Sequence, residues 1–326
     1  MKAIILKQPG GAEQLQLSEQ EKPVPKADEL LISVEAAAVN RTDIVNRKRK
    51  SGYMNHPILG VEVAGVVEKT VPGSGISEGT RVMGLVNGGG YAQYAVMPAN
   101  RAMTIPKNLS FEEAVAIPEV FLTAYQTLFW LGRLQQDETV LIHAGGSGVG
   151  TAAIQLAKQL RQATVITTAG TQEKLAYAEQ LGADHCINYK TENFAEVVAN
   201  VTDDQGVDLI LDFVGATYWQ PNLNSIRVDG RWVLIGVLGG SVVKKVDLMT
   251  LMAKRIQLTG TLLTPRSDEY KAKLTHAFID ETNDLFASGQ LKPVIDRIFR
   301  LEDIQQAHEH MEQNKNIGKI ILKINE

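Results

Sequence analysis

Val140-Leu141-Ile142-His143-Ala144-Gly145-Gly146-Ser147-Gly148-Val149-Gly150 is the stretch on which the reading of this chain turns. Three apolar residues deliver the backbone to a glycine-rich run. The residues after it place Val149, Ala152, Ala153, Leu156, Ala157 and Leu160 on one face at helical spacing. Strand, glycine turn and helix in that order gather backbone N–H groups and the positive end of a helix dipole where a pyrophosphate can sit. Aligned on Gly145 and Gly150, the pattern G-x-G-x-x-G has Ser147 at its middle glycine. By itself such a match equally describes a plain strand-to-helix turn. The flanking strand, the periodic helix and a second strand at 164–168 favour a dinucleotide site.

Outward from this turn, strand and helix patterns alternate. Apolar runs at 186–189, 209–211, 232–235 and 256–259 follow helical patterns at 173–181 and 193–201, which predicts a parallel sheet covered by helices on both faces. After Pro265 a long helical stretch ends near 288–289, followed by a strand, a helix and a last strand at 319–323. Before Ser110 the texture differs. Short β-branched runs at 3–6, 30–34, 61–68, 81–86 and 92–96 are separated by Gly/Pro turns at 71–75 and 87–90, as in a compact, mostly antiparallel β domain. Ser110 and Glu113 have capping-box spacing, so a helix is expected to start there. The fold class expected is α/β, a Rossmann-like doubly wound sheet at 122–264 beside a β domain made of 1–121 with 265–326.

Composition bounds the function. The 326 residues suffice for two domains, at one per roughly 150 residues. Hydrophobic residues make up 44% and charged ones 21%, ordinary for a globular chain. Net charge is −4, so no global basic field draws nucleic acid or an anionic membrane. The single cysteine, Cys186, excludes an intramolecular disulfide and a cysteine-rich zinc site and fits a reducing compartment, so a cytoplasmic enzyme is expected. Cys186 itself reads as a small buried hydrophobe. The N-terminal apolar run is too short for a secretory signal, and no apolar stretch is read as reaching the ~20 residues that span a bilayer.

Cofactor choice is read at the end of the second strand. NAD-specific folds place Asp or Glu there for the ribose 2′-OH. Here the segment is Thr167-Thr168-Ala169-Gly170-Thr171, with Lys174 in the next helical turn. A carboxylate-free end containing Gly170 and a nearby cation suits a 2′-phosphate, hence NADPH; Glu173 beside Lys174 weakens that field.

Several runs match a known superfamily. Ala36-Ala37-Ala38-Val39-Asn40-Arg41-Thr42-Asp43, Leu59-Gly60-Val61-Glu62-Val63-Ala64-Gly65 and Gly79-Thr80-Arg81-Val82 resemble signatures of the medium-chain dehydrogenase/reductases. Ala116-Ile117-Pro118-Glu119, Leu122-Thr123-Ala124, Ser147-Gly148-Val149-Gly150-Thr151, Asp229-Gly230-Arg231-Trp232-Val233-Leu234 and Asn314-Lys315-Asn316-Ile317-Gly318-Lys319 resemble the zinc-free quinone oxidoreductase branch. The sub-type induced by a tumour-suppressor transcription factor in animals is especially similar, down to Ser147. The departures are informative too. Asn40 and Val61 stand where zinc alcohol dehydrogenases carry a ligand Cys and a ligand His, and neither binds zinc, so no metal is expected. Thr80 replaces the usual Asp, read as a local turn change.

The resemblance implies a GroES-like fold for the β domain and a site in the cleft between domains. Asn40 and Tyr53 would be the catalytic residues near nicotinamide and acceptor. Cofactor contacts would come from Thr123, Ser147, Gly148, Val149, Gly170, Lys174, Tyr189, Phe213, Val214, Val237, Leu238, Leu262, Leu263 and Asn314. Most have a plain alternative. Thr123, Leu262 and Leu263 can be core, Tyr189 a rim aromatic, His143 structural, and His308 and His310, two apart, do not share a helix face. The reading is an NADPH-dependent quinone reductase, homodimeric, acting on a small molecule. A reductase of α,β-unsaturated carbonyls stays open, as does a nucleotide-binding protein with a partner- or RNA-binding role.

Overall fold

In chain order the elements are β1 (Lys2–Leu6), β2 (Leu15–Glu19), β3 (Glu29–Val39), α1 (Arg41–Lys48), β4 (Glu62–Lys69), β5 (Arg81–Leu85), β6 (Tyr94–Pro98), β7 (Met103–Thr104), α2 (Phe111–Val115) and α3 (Pro118–Tyr125). A π-helical turn, Gln126–Leu131, follows. Then come β8 (Thr139–Ile142), α4 (Gly148–Arg161), β9 (Thr164–Ala169), α5 (Gln172–Gln180), β10 (His185–Asn188), α6 (Phe194–Val201), β11 (Val207–Asp212), α7 (Trp219–Ser225), β12 (Ile226–Leu234), α8 (Leu248–Lys254) and β13 (Gln257–Gly260). The chain closes with α9 (Asp268–Ala287), β14 (Ile295–Arg300), α10 (Ile304–Glu312) and β15 (Lys319–Lys323). The computed structural model describes residues 1–49 and 56–325. They form two units, Met1–Leu122 with Leu263–Glu326, and Thr123–Leu262.

The first unit is a GroES-like β domain. Its main sheet runs β14-β15-β3-β4-β5-β7, with β6 also on β3; all pairs are antiparallel except β14 with β15. β3 is central because its second half, Ala36-Ala37-Ala38-Val39, is buried on both faces and small enough to be covered on each. The last strand, β15, pairs with that half, bringing Ile320 opposite Val39 at the very end of β3. The core gathers Ile4, Ile32, Val63, Met97, Ile304 and Leu322.

The second unit is a parallel sheet in the order β10-β9-β8-β11-β12-β13. Counting β8 as first, this is 3-2-1-4-5-6, so the order reverses between β8 and β11. Ligands of such sheets bind beyond the strand ends at that point. Leu141, Ile166, Ile210 and Trp232 form its buried core. The run 226–231 escaped the sequence reading as strand because Arg227, Asp229 and Arg231 break the apolar pattern, yet β12 starts at Ile226.

One expectation is corrected. The helical run Phe111–Leu131 has 21 residues and enough apolarity to cross a bilayer by length and composition. Of its most apolar window 78% is buried inside the protein, so that apolarity serves the core.

Candidate functional site

In the second unit, β8 ends at Ile142 and the chain turns through Ala144, whose φ of +54° is a left-handed conformation uncommon outside glycine. Gly145 N–H donates to Thr168 O (2.9 Å) and Ser147 N–H to Ala144 O (2.8 Å). Ser147 is the N-cap of α4, its Oγ accepting from Gly150 N–H (3.0 Å) while its carbonyl accepts from Thr151 N–H (2.8 Å). The serine in place of the pattern's glycine therefore does capping work that glycine lacks a side chain for. Gly148 and Val149 head the helix and direct first-turn N–H groups, with no intrahelical acceptor, at whatever lies before it. Gly145 and Gly150 keep the turn tight. A Cβ on Gly145 would fall 2.1 Å from Thr167 Oγ1, and one on Gly150 2.3 Å from Ala144 O. A tight, donor-lined turn at a 14-residue helix fits a dinucleotide pyrophosphate.

Behind this turn lies a buried polar network. Asp212, fully buried at the end of β11, accepts from Val214 N–H (2.7 Å) and Gly215 N–H (3.0 Å) through one oxygen. Its other oxygen takes Asn222 Nδ2 and Trp232 Nε1, both at 3.1 Å. With its amide nitrogen on Asp212, Asn222 turns Oδ1 to His143 Nε2 (2.7 Å), and Thr168 Oγ1 meets His143 Nδ1 (3.0 Å). Burial lowers the His143 pKa, so the ring is neutral, protonated on Nε2. His143 thus joins three strand ends that the sheet topology turns toward a ligand.

Around those ends, Phe213 is buried while Val237 and Leu238 are exposed. The two loops are joined by Leu238 N–H to Phe213 O (3.2 Å) and Gly239 N–H to Val214 O (2.7 Å). Past β9, a Cβ on Gly170 would sit 2.6 Å from the Tyr189 hydroxyl and 3.1 Å from Lys190 Cε. Lys174 packs its side chain on the glycine turn, its Cγ and Cδ 2.9 Å from where a Gly146 Cβ would be. Tyr189 is 45% exposed and stacks edge-on against Tyr218. Thr123 is buried in α3. Leu262, 45% exposed, ends this unit, whereas Leu263 is buried in the first, so the pair does not share one environment.

In the first unit Asn40 caps α1 and is buried. Its Nδ2 donates to Glu62 Oε1 (2.7 Å), and its Oδ1 accepts from Lys319 Nζ (2.6 Å). Val61 is buried beside Glu62, its carbonyl accepting from Val86 N–H (2.8 Å). Among the described residues no three His, Cys, Asp or Glu converge as a metal would require. Tyr53 lies outside the described residues. Asn314, with φ +55°, accepts from the Arg41 guanidinium. His308 is buried between Arg47 (Nη1 to Nδ1, 3.2 Å) and the Tyr91 hydroxyl (3.3 Å from Nε2), and burial pushes it down to about 3. His310 instead meets Asp296 (2.8 Å). Cys186 is half-buried rather than buried, and desolvation pushes its thiol up to about 11.

Asp43 supports Asn40 from below, accepting its backbone N–H (2.9 Å) and that of Gly60 (3.2 Å). Complete burial outweighs these donors and the Tyr91 hydroxyl and raises its pKa to about 7. Folded protein therefore holds this proton between about pH 4 and 7, where the unfolded chain has lost it. Stability from this group is full below pH 4 and falls as pH rises through 7, by at most about 4 kcal/mol. Asp43→Asn should lower stability yet remove that component. The wild-type-minus-variant difference in urea midpoint should decline from pH 4 to 7; a flat difference would contradict a raised Asp43.

Sequence reasoning passed over Glu62, Lys319, Asp212, Asn222 and Lys190. All but Lys190 are buried polar residues whose partners lie far away in sequence, and Lys190 followed a tyrosine on a loop without pattern.

Residues 26–107 match the alcohol dehydrogenase GroES-like domain, and residues 148–278 match the zinc-binding dehydrogenase family. The quinone oxidoreductase of Rattus norvegicus is 31% identical over 333 residues, covering 99% of this chain and 97% of its own length. A mycobacterial protein solved in complex with NADPH superposes with a TM-score of 0.88 at 31% identity, over 99% of this chain and 100% of that one. An NAD-dependent alcohol dehydrogenase superposes with a TM-score of 0.89 at 30% identity, over the whole of both chains.

Proposed function

Because the chain belongs to the quinone oxidoreductase-like proteins of the medium-chain dehydrogenase/reductase superfamily, we propose that it reduces quinones with NADPH without zinc. The observation that carries this reading is the donor-lined glycine turn beside a carboxylate-free strand end, flanked by Lys174 and Lys190. Those lysines would meet a 2′-phosphate, and the N–H groups of Gly148 and Val149 the pyrophosphate. When bound, NADPH supplies a hydride carrying two electrons, and a proton from water completes the hydroquinone. Asn40 would steady an acceptor oxygen as negative charge grows on it. A quinone gains aromaticity on reduction and spreads that charge, so it needs no Lewis acid; a simple ketone does.

An acceptor panel followed by NADPH absorbance tests this. Ortho- or para-quinones are expected to turn over, simple ketones, aldehydes and alcohols hardly at all, and a chelator should change nothing. Enones faster than every quinone would make the protein an enone reductase. Activity lost to chelation and restored by zinc would overturn the zinc-free reading, and NADPH binding with no turnover would favour the binding protein.

The assembly we propose is a homodimer through the second unit. β13 is an edge strand of its sheet, and Leu258 on it, with Met249 and Met252 on α8, is exposed. An open apolar edge readily templates pairing with a second copy. Leu258→Lys with Met252→Glu is expected to shift the light-scattering mass from dimer to monomer, and a monomeric wild type would end the proposal.

A further inference from the structure

Asn40, Glu62 and Lys319 are 4%, 0% and 3% exposed, and they form a closed triangle. Lys319 Nζ lies 2.6 Å from Asn40 Oδ1 and 2.6 Å from Glu62 Oε1, and Asn40 Nδ2 lies 2.7 Å from that same carboxylate oxygen. Glu62 Oε2 accepts from Glu119 N–H (2.8 Å), so the carboxylate cannot swing away. An amide side chain can present its oxygen or its nitrogen by a half-turn, and here charge decides which. Turned over, Asn40 would point its oxygen at a carboxylate and its N–H groups at an ammonium, exchanging two charge-assisted bonds for two repulsions.

One Nδ2 hydrogen is committed to Glu62. The other meets only Ala38 O at 3.4 Å, a long contact that an incoming oxygen can replace. The ammonium on Oδ1 also polarises the amide, which strengthens donation from Nδ2.

We propose that Glu62 and Lys319 are positioning residues that lock the Asn40 carboxamide as a hydrogen-bond donor toward the acceptor oxygen. The proposal rests on the role given to Asn40 above. It explains why an ion pair is buried where zinc-dependent relatives would carry a metal-ligand pair: the two charges orient a neutral donor. Asn40 is the group that would touch the acceptor, while Glu62 and Lys319 act through it.

The test is Glu62→Gln with Lys319→Met, which removes both charges and strands neither, set in a cycle with Asn40→Ala. In wild type, Asn40→Ala should cost on the order of 10²-fold in kcat for a quinone. The double variant should lose roughly 10- to 100-fold in kcat with the NADPH Kd unchanged, and adding Asn40→Ala to it should cost little more. A full Asn40→Ala loss persisting in the double variant would overturn the lock, as would an unaltered kcat.

Side-chain amide NMR of the wild type gives a readout independent of turnover and of whether the variant folds. The Asn40 NH₂ pair, assigned by its loss in Asn40→Ala, should show one strongly and one weakly bonded hydrogen. Two equivalent, solvent-like signals would refute the lock. If no acceptor is reduced at all, the function reading fails while this measurement still decides the triangle.

Discussion

Lys174→Ala is expected to weaken NADPH binding roughly 10- to 150-fold and to leave NADH binding nearly unchanged. A charge-assisted bond to phosphate contributes about 1.5–3 kcal/mol, which converts to that range. Geometry favours Lys174 for the part: its stem lies on Gly146 of the turn, and its backbone N–H on the Thr171 N-cap fixes where the side chain begins. Lys190 approaches the same strand end at Gly170 from the other side and is exposed, so Lys190→Ala should show the same preference with a smaller loss. Titrations of both cofactors at fixed ionic strength, then at higher salt, check this. Salt should narrow the NADPH advantage because the contact is screened. Equal losses for NADPH and NADH would make Lys174 a bystander.

How much of this was legible beforehand depended on whether the signal was local. The parallel sheet was readable because each strand is a short apolar run and each helix repeats every three to four residues. Gly148–Arg161 and Thr164–Ala169 fell within a residue or two of their expected ends. α8 was not seen: its Leu248, Met249 and Met252 are exposed, so there is no buried stripe to read. The glycine turn was legible because its requirements are written in consecutive residues. The Asn40 triangle was not. Lys319 and Glu62 are 257 residues apart, and Lys319 opens a strand reading Lys-Ile-Ile-Leu-Lys, in which a terminal lysine ordinarily marks the solvent edge. Only pairing β15 on the end of β3 carries that ammonium inward. Asp212, Asn222 and His143 were hidden in the same way, each unremarkable until three strand ends meet.

Gly150→Val is expected to abolish useful NADPH binding while leaving a folded protein. A Cβ at this position would lie 2.3 Å from Ala144 O, 2.9 Å from Gly145 Cα and 3.0 Å from Ala144 C. All three atoms are backbone, so no side chain can rotate aside, and the start of α4 must move off the turn. Gly150 is also the residue whose N–H is capped by Ser147, so the shift breaks the cap and re-aims the N–H groups of Gly148 and Val149 together. Losing two charge-assisted bonds to the pyrophosphate costs about 3–6 kcal/mol, or on the order of 10²- to 10⁴-fold in affinity. Overpacking should itself cost about 1–3 kcal/mol of stability, visible as a lower melting temperature without loss of the helical circular dichroism signal. Ala144→Gly is the matched control. It relaxes the φ of +54° without adding an atom, so binding should stay close to wild type. A folded Gly150→Val protein that still bound NADPH with wild-type affinity would move the dinucleotide away from this turn, and the quinone reductase reading would go with it.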